Sequence, residues 1–451
     1  MTSTMARPPR PRAARGLATE HAPPLDLPLR FLLVALGGFA VLGVTAPWHL
    51  PLLLGSFYDP HLLTFVHVNT LGIIAATVFG ASYQLVPVVL QTALPSARVA
   101  RLSWWLYLPG VLALLAGLSG GLPALLGLGG SLLAVAILLY AGVLLGAFWR
   151  AAERDVIFWH LAVALAGLVL AAGLGTLLAH SKYRGLLGAS TLPVLATHAV
   201  LMVAGWVTPL ITGVAYRLVG MFTLSEDQLR PGWAGAELAL TAGGAWLLAA
   251  SLLGRLGSPA NLIGAGALCA GQLLFGLQLL RLYRLRRRRS FDVHIPFALA
   301  ACTAGLLASG LVVVGLATAR PPADPVWMTA GWLAIVGWAE TAIQGFLYKI
   351  GPFLTWLHRY APLAGRQPVP RLEDLYGRRT ALLGWACWVS GVALGALAAL
   401  TQVSPLASMA GGLLSVGLAA FLVNAVRTGA HWRPFQPLAG RMSAPPGPAA
   451  R

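Results

Sequence analysis

The side chains here best suited to bind a metal or carry a proton are ten histidines and one glutamate set inside an apolar run, Glu340. Neutral imidazole ligates heme iron and copper, and an ionisable group within a bilayer costs enough to mark a functional position. His67 and His198 each lie about two turns into a long apolar stretch. Met202, one turn beyond His198, and Met328 are soft donors at comparable depth. His61, His49 and His180 fall nearer the ends of such stretches. His160, His294 and His358 adjoin arginine-rich segments, where interfacial anchoring is expected, and His21 and His431 lie in the terminal segments. Each has a plain structural reading: a lone buried histidine is commonly a hydrogen-bonded core residue, and a methionine is commonly core packing. Two histidines at similar depth argue for more. Glu340 is the one carboxylate expected deep in the membrane, protonated or paired, as a proton relay or a structural acid.

These residues ride on elements whose nature follows from composition. The chain is 58% hydrophobic and only 10% charged, which excludes a soluble fold. Continuous Leu/Ala/Gly-rich runs, closed by Arg, Pro or Gly, indicate an all-α integral membrane protein and exclude a barrel of short alternating strands. Twelve spans are expected, at about 30–53, 62–90, 101–118, 123–148, 156–179, 190–222, 232–253, 259–281, 294–318, 326–354, 379–401 and 405–426. They form one membrane domain, 28–428, between cytoplasmic tails 1–27 and 429–451, the first of which reads as disordered and not as a cleaved signal. The net charge of +18 is concentrated in alternate loops, including Arg286-Arg287-Arg288-Arg289. That asymmetry places both termini in the cytoplasm of a bacterial or archaeal plasma membrane and leaves the basic residues to topology and anionic lipid, with no nucleic acid involved. Cys269, Cys302 and Cys387 are scattered within spans and form no disulfide or zinc framework.

A threefold internal repeat organises the spans into units at about 30–148, 156–281 and 294–426. Gly72-x7-Gly80-x2-Tyr83-Gln84-Leu85 in span 2 returns as Gly205-x7-Gly213-x2-Tyr216-Arg217-Leu218 in span 6. It returns again as Gly337-x7-Gly345-x2-Tyr348-Lys349-Ile350 in span 10, at intervals of 133 and 132 residues. Glycines eight apart lie on roughly one helix face and permit close helix approach. Tyr83, Tyr216 and Tyr348 are expected to pack and anchor at the cytoplasmic ends of their spans.

With these motifs in place, the chain resembles subunit I of the heme-copper oxidase superfamily, and more closely its divergent NnrS-like relatives. The residues that carry the resemblance are His61-x5-His67-Val-Asn-Thr-Leu-Gly72 leading to Tyr83, His198 leading to Gly213-Val-Ala-Tyr216, and Tyr348-Lys-Ile-Gly-Pro-Phe-Leu354. It implies twelve spans in three pseudo-symmetric four-helix arcs, with spans 2, 6 and 10 lining them. It also implies that His67 matches a low-spin heme ligand and His198 a copper ligand. The histidine pair of span 7 and the His-x-His of span 10 are missing: by register, Ala330 and Trp332 stand in the latter's place. Oxygen reduction is therefore not expected. The resemblance leads to a non-oxygen-reducing relative holding heme b or copper in the outer half, with His67 and His198 as anchors, His180 and His61 as further cofactor candidates and Met202 as an added metal donor. Its roles would be respiratory electron transfer, nitric-oxide-related chemistry or accessory work beside other respiratory membrane subunits or a cytochrome. Two alternatives stay open: a cofactor-free transporter or structural partner on the same scaffold, and a cytochrome c oxidase subunit I-type catalytic subunit.

Overall fold

The computed structural model describes residues 23–254, 256–288 and 292–432, and all regular structure among them is helical. Most of the two expected tails, 1–22 and 433–451, lies outside the described residues. Twelve helices are long and apolar enough to cross a membrane: Asp26–Leu54, Pro60–Val89, Ala97–Ser119, Pro123–Trp149, Val156–Ser181, Gly188–Thr223, Pro231–Gly254, Ser258–Arg284, His294–Ala317, Pro325–Arg359, Arg378–Thr401 and Ser404–Ala430. These are spans 1 to 12 below. The chain is thus a multi-pass membrane protein by length and composition of its helices. With an even number of crossings, both described ends share one face; we call that half proximal and the other distal.

Helix starts are written in the local sequence. Asp59 accepts from the backbone N–H of His61 and Leu62 at 2.8 and 3.1 Å, ahead of Pro60 in the first turn of span 2. Asp155 accepts from Phe158 at 2.9 Å and Asp324 from Val326 at 2.9 Å, capping spans 5 and 10. Neighbour relations recur with the repeat. Spans 3 and 4, 7 and 8, and 11 and 12 pair along their lengths, while spans 4 and 5, 8 and 9, and 12 and 1 join consecutive units. Spans 1, 5 and 9 each pack on the following span.

The repeated glycines make those last contacts possible. A methyl group added to Gly38 would lie 2.8 Å from the carbonyl oxygen of Gly72, and one on Gly167 would strike that of Gly205, so spans 1 and 5 cross the next span backbone against backbone. One step proximal, Gly80, Gly213 and Gly345 accept the side chains of Phe31, His160 and Phe297, at corresponding places on spans 1, 5 and 9. A second feature recurs where no sequence motif announces it. Spans 2, 6 and 10 each widen into a π-helical segment, at Val68–Ala75, Leu201–Val207 and Leu333–Glu340, again 133 and 132 residues apart. Such segments are rare and concentrate at functional sites.

Candidate functional site

A cavity of about 890 Å³ occupies the distal half, and both His67 and His198 line it, together with Met202, Met328 and Trp332. The two histidines enter from the last turn of ordinary α-helix before the π segments of spans 2 and 6. The His67 Nδ1–H donates to the Leu63 carbonyl at 2.7 Å, and the His198 Nδ1–H donates across to Ala171 of span 5 at 2.8 Å. A carbonyl can only accept, so each ring carries its proton on Nδ1. Each Nε2 then keeps a lone pair that no hydrogen bond uses among the described residues. This is how ligating imidazoles are normally oriented, by a backbone carbonyl behind the ring. The rings are within electrostatic reach of one another. Asn69 lines the same cavity, its Nδ2 tied to the Phe65 carbonyl at 2.7 Å and its Oδ1 buried without a partner.

The other expected site residues are placed elsewhere. His180 meets Ser131 through Nε2 at 3.1 Å and packs over Gly127 of span 4, outside the cavity. His61 is exposed at the start of span 2. His49 stacks on Phe65 with centroids 5.8 Å apart. Glu340 is wholly buried at the end of the third π segment, and neither carboxyl oxygen has a hydrogen-bond partner. The three tyrosines are not interfacial anchors: all are buried. Tyr83 pairs with Ser103 at 2.9 Å, Tyr216 donates to Glu237 at 3.2 Å, and Tyr348 accepts from Asn424 at 3.4 Å. The close crossing of spans 1, 5 and 9 draws the following span inward and takes these rings with it.

A second cluster escaped sequence reasoning. Glu237, near the proximal end of span 7, is fully buried, so Glu340 is not the only deep carboxylate. Its Oε2 lies 2.9 Å from His160 Nε2, and its Oε1 accepts from Thr241 at 3.0 Å. The Nδ1–H of His160 donates to the Val156 carbonyl at 2.7 Å, so one proton is shared between imidazole and carboxyl. His160 is thus core and not an interfacial anchor. A signal was available: His160 stands where the sister units carry Phe31 and Phe297, an ionisable group in an aromatic slot.

At the proximal face, Asp292 pairs with Lys349 and lies 3.7 Å from His294. Burial pushes the Asp292 carboxyl up, but His294 and Lys349 outweigh it and hold the group down at about 2. At the distal rim, the Lys182 ammonium sits 3.7 Å over the Tyr58 ring, and partial burial lowers its pKa while Asp59 pulls the other way.

Among the described residues no three of His, Cys, Asp and Glu gather as a metal site. A metal in the distal cavity would therefore rest on two imidazoles, with thioether sulfur as the remaining protein donor type. No family model matches the chain, and no curated protein matches it either.

Proposed function

We propose that this chain is a divergent member of the heme-copper oxidase superfamily, built as three four-helix arcs, that holds heme b or copper between His67 and His198 and does not reduce oxygen. The observation that carries the reading is the pair of imidazoles on spans 2 and 6, each pinned through Nδ1 to a main-chain carbonyl and each leaving Nε2 free beside one cavity. The residues fit such a group. Two neutral imidazoles complete an axial pair for a heme or, with Met202, a soft set for copper. The cavity volume of about 890 Å³ is within the range of cofactor sites. When bound, the group would supply one-electron exchange. The protein's part is to fix the tautomers, exclude other donors and keep the site in an apolar wall, in a respiratory electron-transfer, nitric-oxide-related or accessory role. The arginine-rich loops favour a cytoplasmic proximal face in a prokaryotic plasma membrane, which sets the cavity on the outer side.

Oxidised and reduced absorption spectra of the detergent-purified protein, with elemental analysis, test this. A Soret band or stoichiometric copper that is lost in both His67→Ala and His198→Ala is the expected result. Neither chromophore nor metal in the wild type would refute the reading. One observation favours a cofactor-free scaffold instead: Trp332, at the register of His67 on span 10, fills that place and is fixed by donating to the Val392 carbonyl at 2.9 Å. The third unit therefore contributes no ligand.

A further inference from the structure

A second, smaller cavity of about 60 Å³ lies on the proximal side among spans 2, 6 and 10, and reaches Arg217. Along these spans the distal cavity is lined as far as Leu71, Val203 and Val336, and the proximal one begins at Thr77, Leu210 and Ile343. What separates them is a septum of five or six residues per helix, 72–76, 204–209 and 337–342, in the same repeat register three times. Its only ionisable residue is Glu340. Its other polar side chains are engaged: Thr208 accepts from Trp338 at 3.0 Å, and Thr341 accepts from Trp388 at 2.8 Å while donating to the Val336 carbonyl. Both Glu340 oxygens are buried without a partner.

Further orphaned polar atoms flank the septum. Asn69 Oδ1 is buried and unpartnered at the distal cavity; Thr77 Oγ1, at the proximal cavity, and Gln344 Nε2, one turn proximal of Glu340, are so as well. Buried polar atoms are rarely left unmade in native proteins, and where protein supplies no partner, internal water does. A charged carboxylate meeting nothing would cost several kcal/mol here, so the group is stable only with a proton on it or water against it. The helices packed on it bring no second carboxylate or cation to this depth. Spans 2 and 6 offer His67 and His198 distally and Tyr83, Tyr216 and Arg217 proximally; span 9 offers Cys302 and the proximal His294; span 11 offers Cys387 and the proximal Arg378 and Arg379. Span 10 itself adds Tyr348, Lys349, His358 and Arg359, all proximal.

We propose that Glu340 passes protons between the two cavities, taking a proton from water on one side of the septum and releasing it to water on the other. Asn69 receives the water file on the distal side, and Gln344 and Thr77 receive it on the proximal side. The carboxyl is neutral between transfers and an anion only while its proton is away, so charge balances at each step. The proposal does not depend on what the distal cavity holds.

The test is proton flux into vesicles of phospholipid carrying the full-length protein, driven by a pH gradient with potassium and valinomycin to clamp the potential and read with an entrapped pH-sensitive dye. Wild-type flux above that of empty vesicles is expected. Glu340→Gln should bring it down by about tenfold or more, toward the empty-vesicle rate, and Glu340→Asp should restore part of it. In infrared spectra, a carboxylic C=O band that shifts in deuterated buffer and is missing from Glu340→Gln is expected. A wild-type rate equal to that of empty vesicles, or an unchanged rate in a folded Glu340→Gln protein, would overturn the proposal. Because the glutamine variant retains both histidines, its absorption spectrum and metal content separate a failure here from a failure of the cofactor reading.

Discussion

Replacing His160 with Phe, the residue that fills the corresponding slot in the other two units, should unfold the protein far more readily although the new ring fits the space. Glu237 would keep Tyr216 and Thr241 but lose the imidazole 2.9 Å from Oε2, with no water at hand and zero exposure. Breaking one side of a buried, hydrogen-bonded acid–base pair costs about 3–5 kcal/mol. Glu237→Ser alone orphans His160 Nε2 and shortens the reach to Tyr216 and Thr241, for a loss of about the same size. If these acted independently, the double variant would lose roughly 6–10 kcal/mol. The first unit shows why it should not. There Phe31, Tyr83 and Ser103 form a satisfied group, and Ser103 precedes Glu237 by 134 residues while Tyr83 precedes Tyr216 by 133. His160→Phe with Glu237→Ser rebuilds that arrangement, so the double variant should lie within about 2 kcal/mol of wild type. Unfolding midpoints in a sodium dodecyl sulfate titration, followed by circular dichroism, give the four corners of the cycle. Additive losses, or a single His160→Phe variant within about 0.5 kcal/mol of wild type, would refute the reasoning.

Three further outcomes follow from geometry already described. Gly167→Ala places a methyl group against the Gly205 carbonyl, and the same assay should record a loss of about 1–3 kcal/mol, with little change for Gly173→Ala, which meets open space. Asp292 is held at about 2 against an ordinary value of 3.8. Its stabilising share is therefore fully present above the unfolded value and lost as pH falls through that window, so acid-unfolding curves of wild type and Asp292→Asn should converge toward pH 2 and separate above pH 4, roughly. His67→Ala and His198→Ala should each abolish the bound cofactor, whereas His180→Ala should leave it in place, since that ring faces Ser131; equal loss in all three would count against the cavity assignment.

Most of the scaffold could be read from the chain because membrane crossing is a one-dimensional constraint. Apolar run length and the Arg, Pro and Gly closures set the twelve helices to within a few residues, with span 1 starting four residues earlier, at Asp26, than hydropathy suggested. Depth along a helix was legible too, which is why His67 and His198 were singled out. Facing was not. Hydropathy does not say which side of an apolar helix meets protein, so Glu237, only seven residues beyond Arg230, passed as peripheral and His160 as an anchor. The π segments were invisible for a related reason: they alter backbone pairing without altering residue type. The one clue strong enough to find the His160–Glu237 pair was comparison across the units, where His stands for Phe.

The π segments also have a consequence for how these helices can change over time. An ordinary helix advances about 100° per residue, so one residue absorbed into a wide turn offsets everything after it by about that angle. In spans 2, 6 and 10 the stretch before the segment and the stretch after it are therefore out of phase. Each can be tuned to its own surroundings: the first carries His67, His198 or Trp332 toward the cavity, the second carries Gly80, Gly213 or Gly345 and its tyrosine toward the preceding span. Substitutions at the cavity wall leave the glycine crossings undisturbed. A helix with this phase break can lose or acquire a ligand in one half and still dock by the other, which is the state in which the third unit is found.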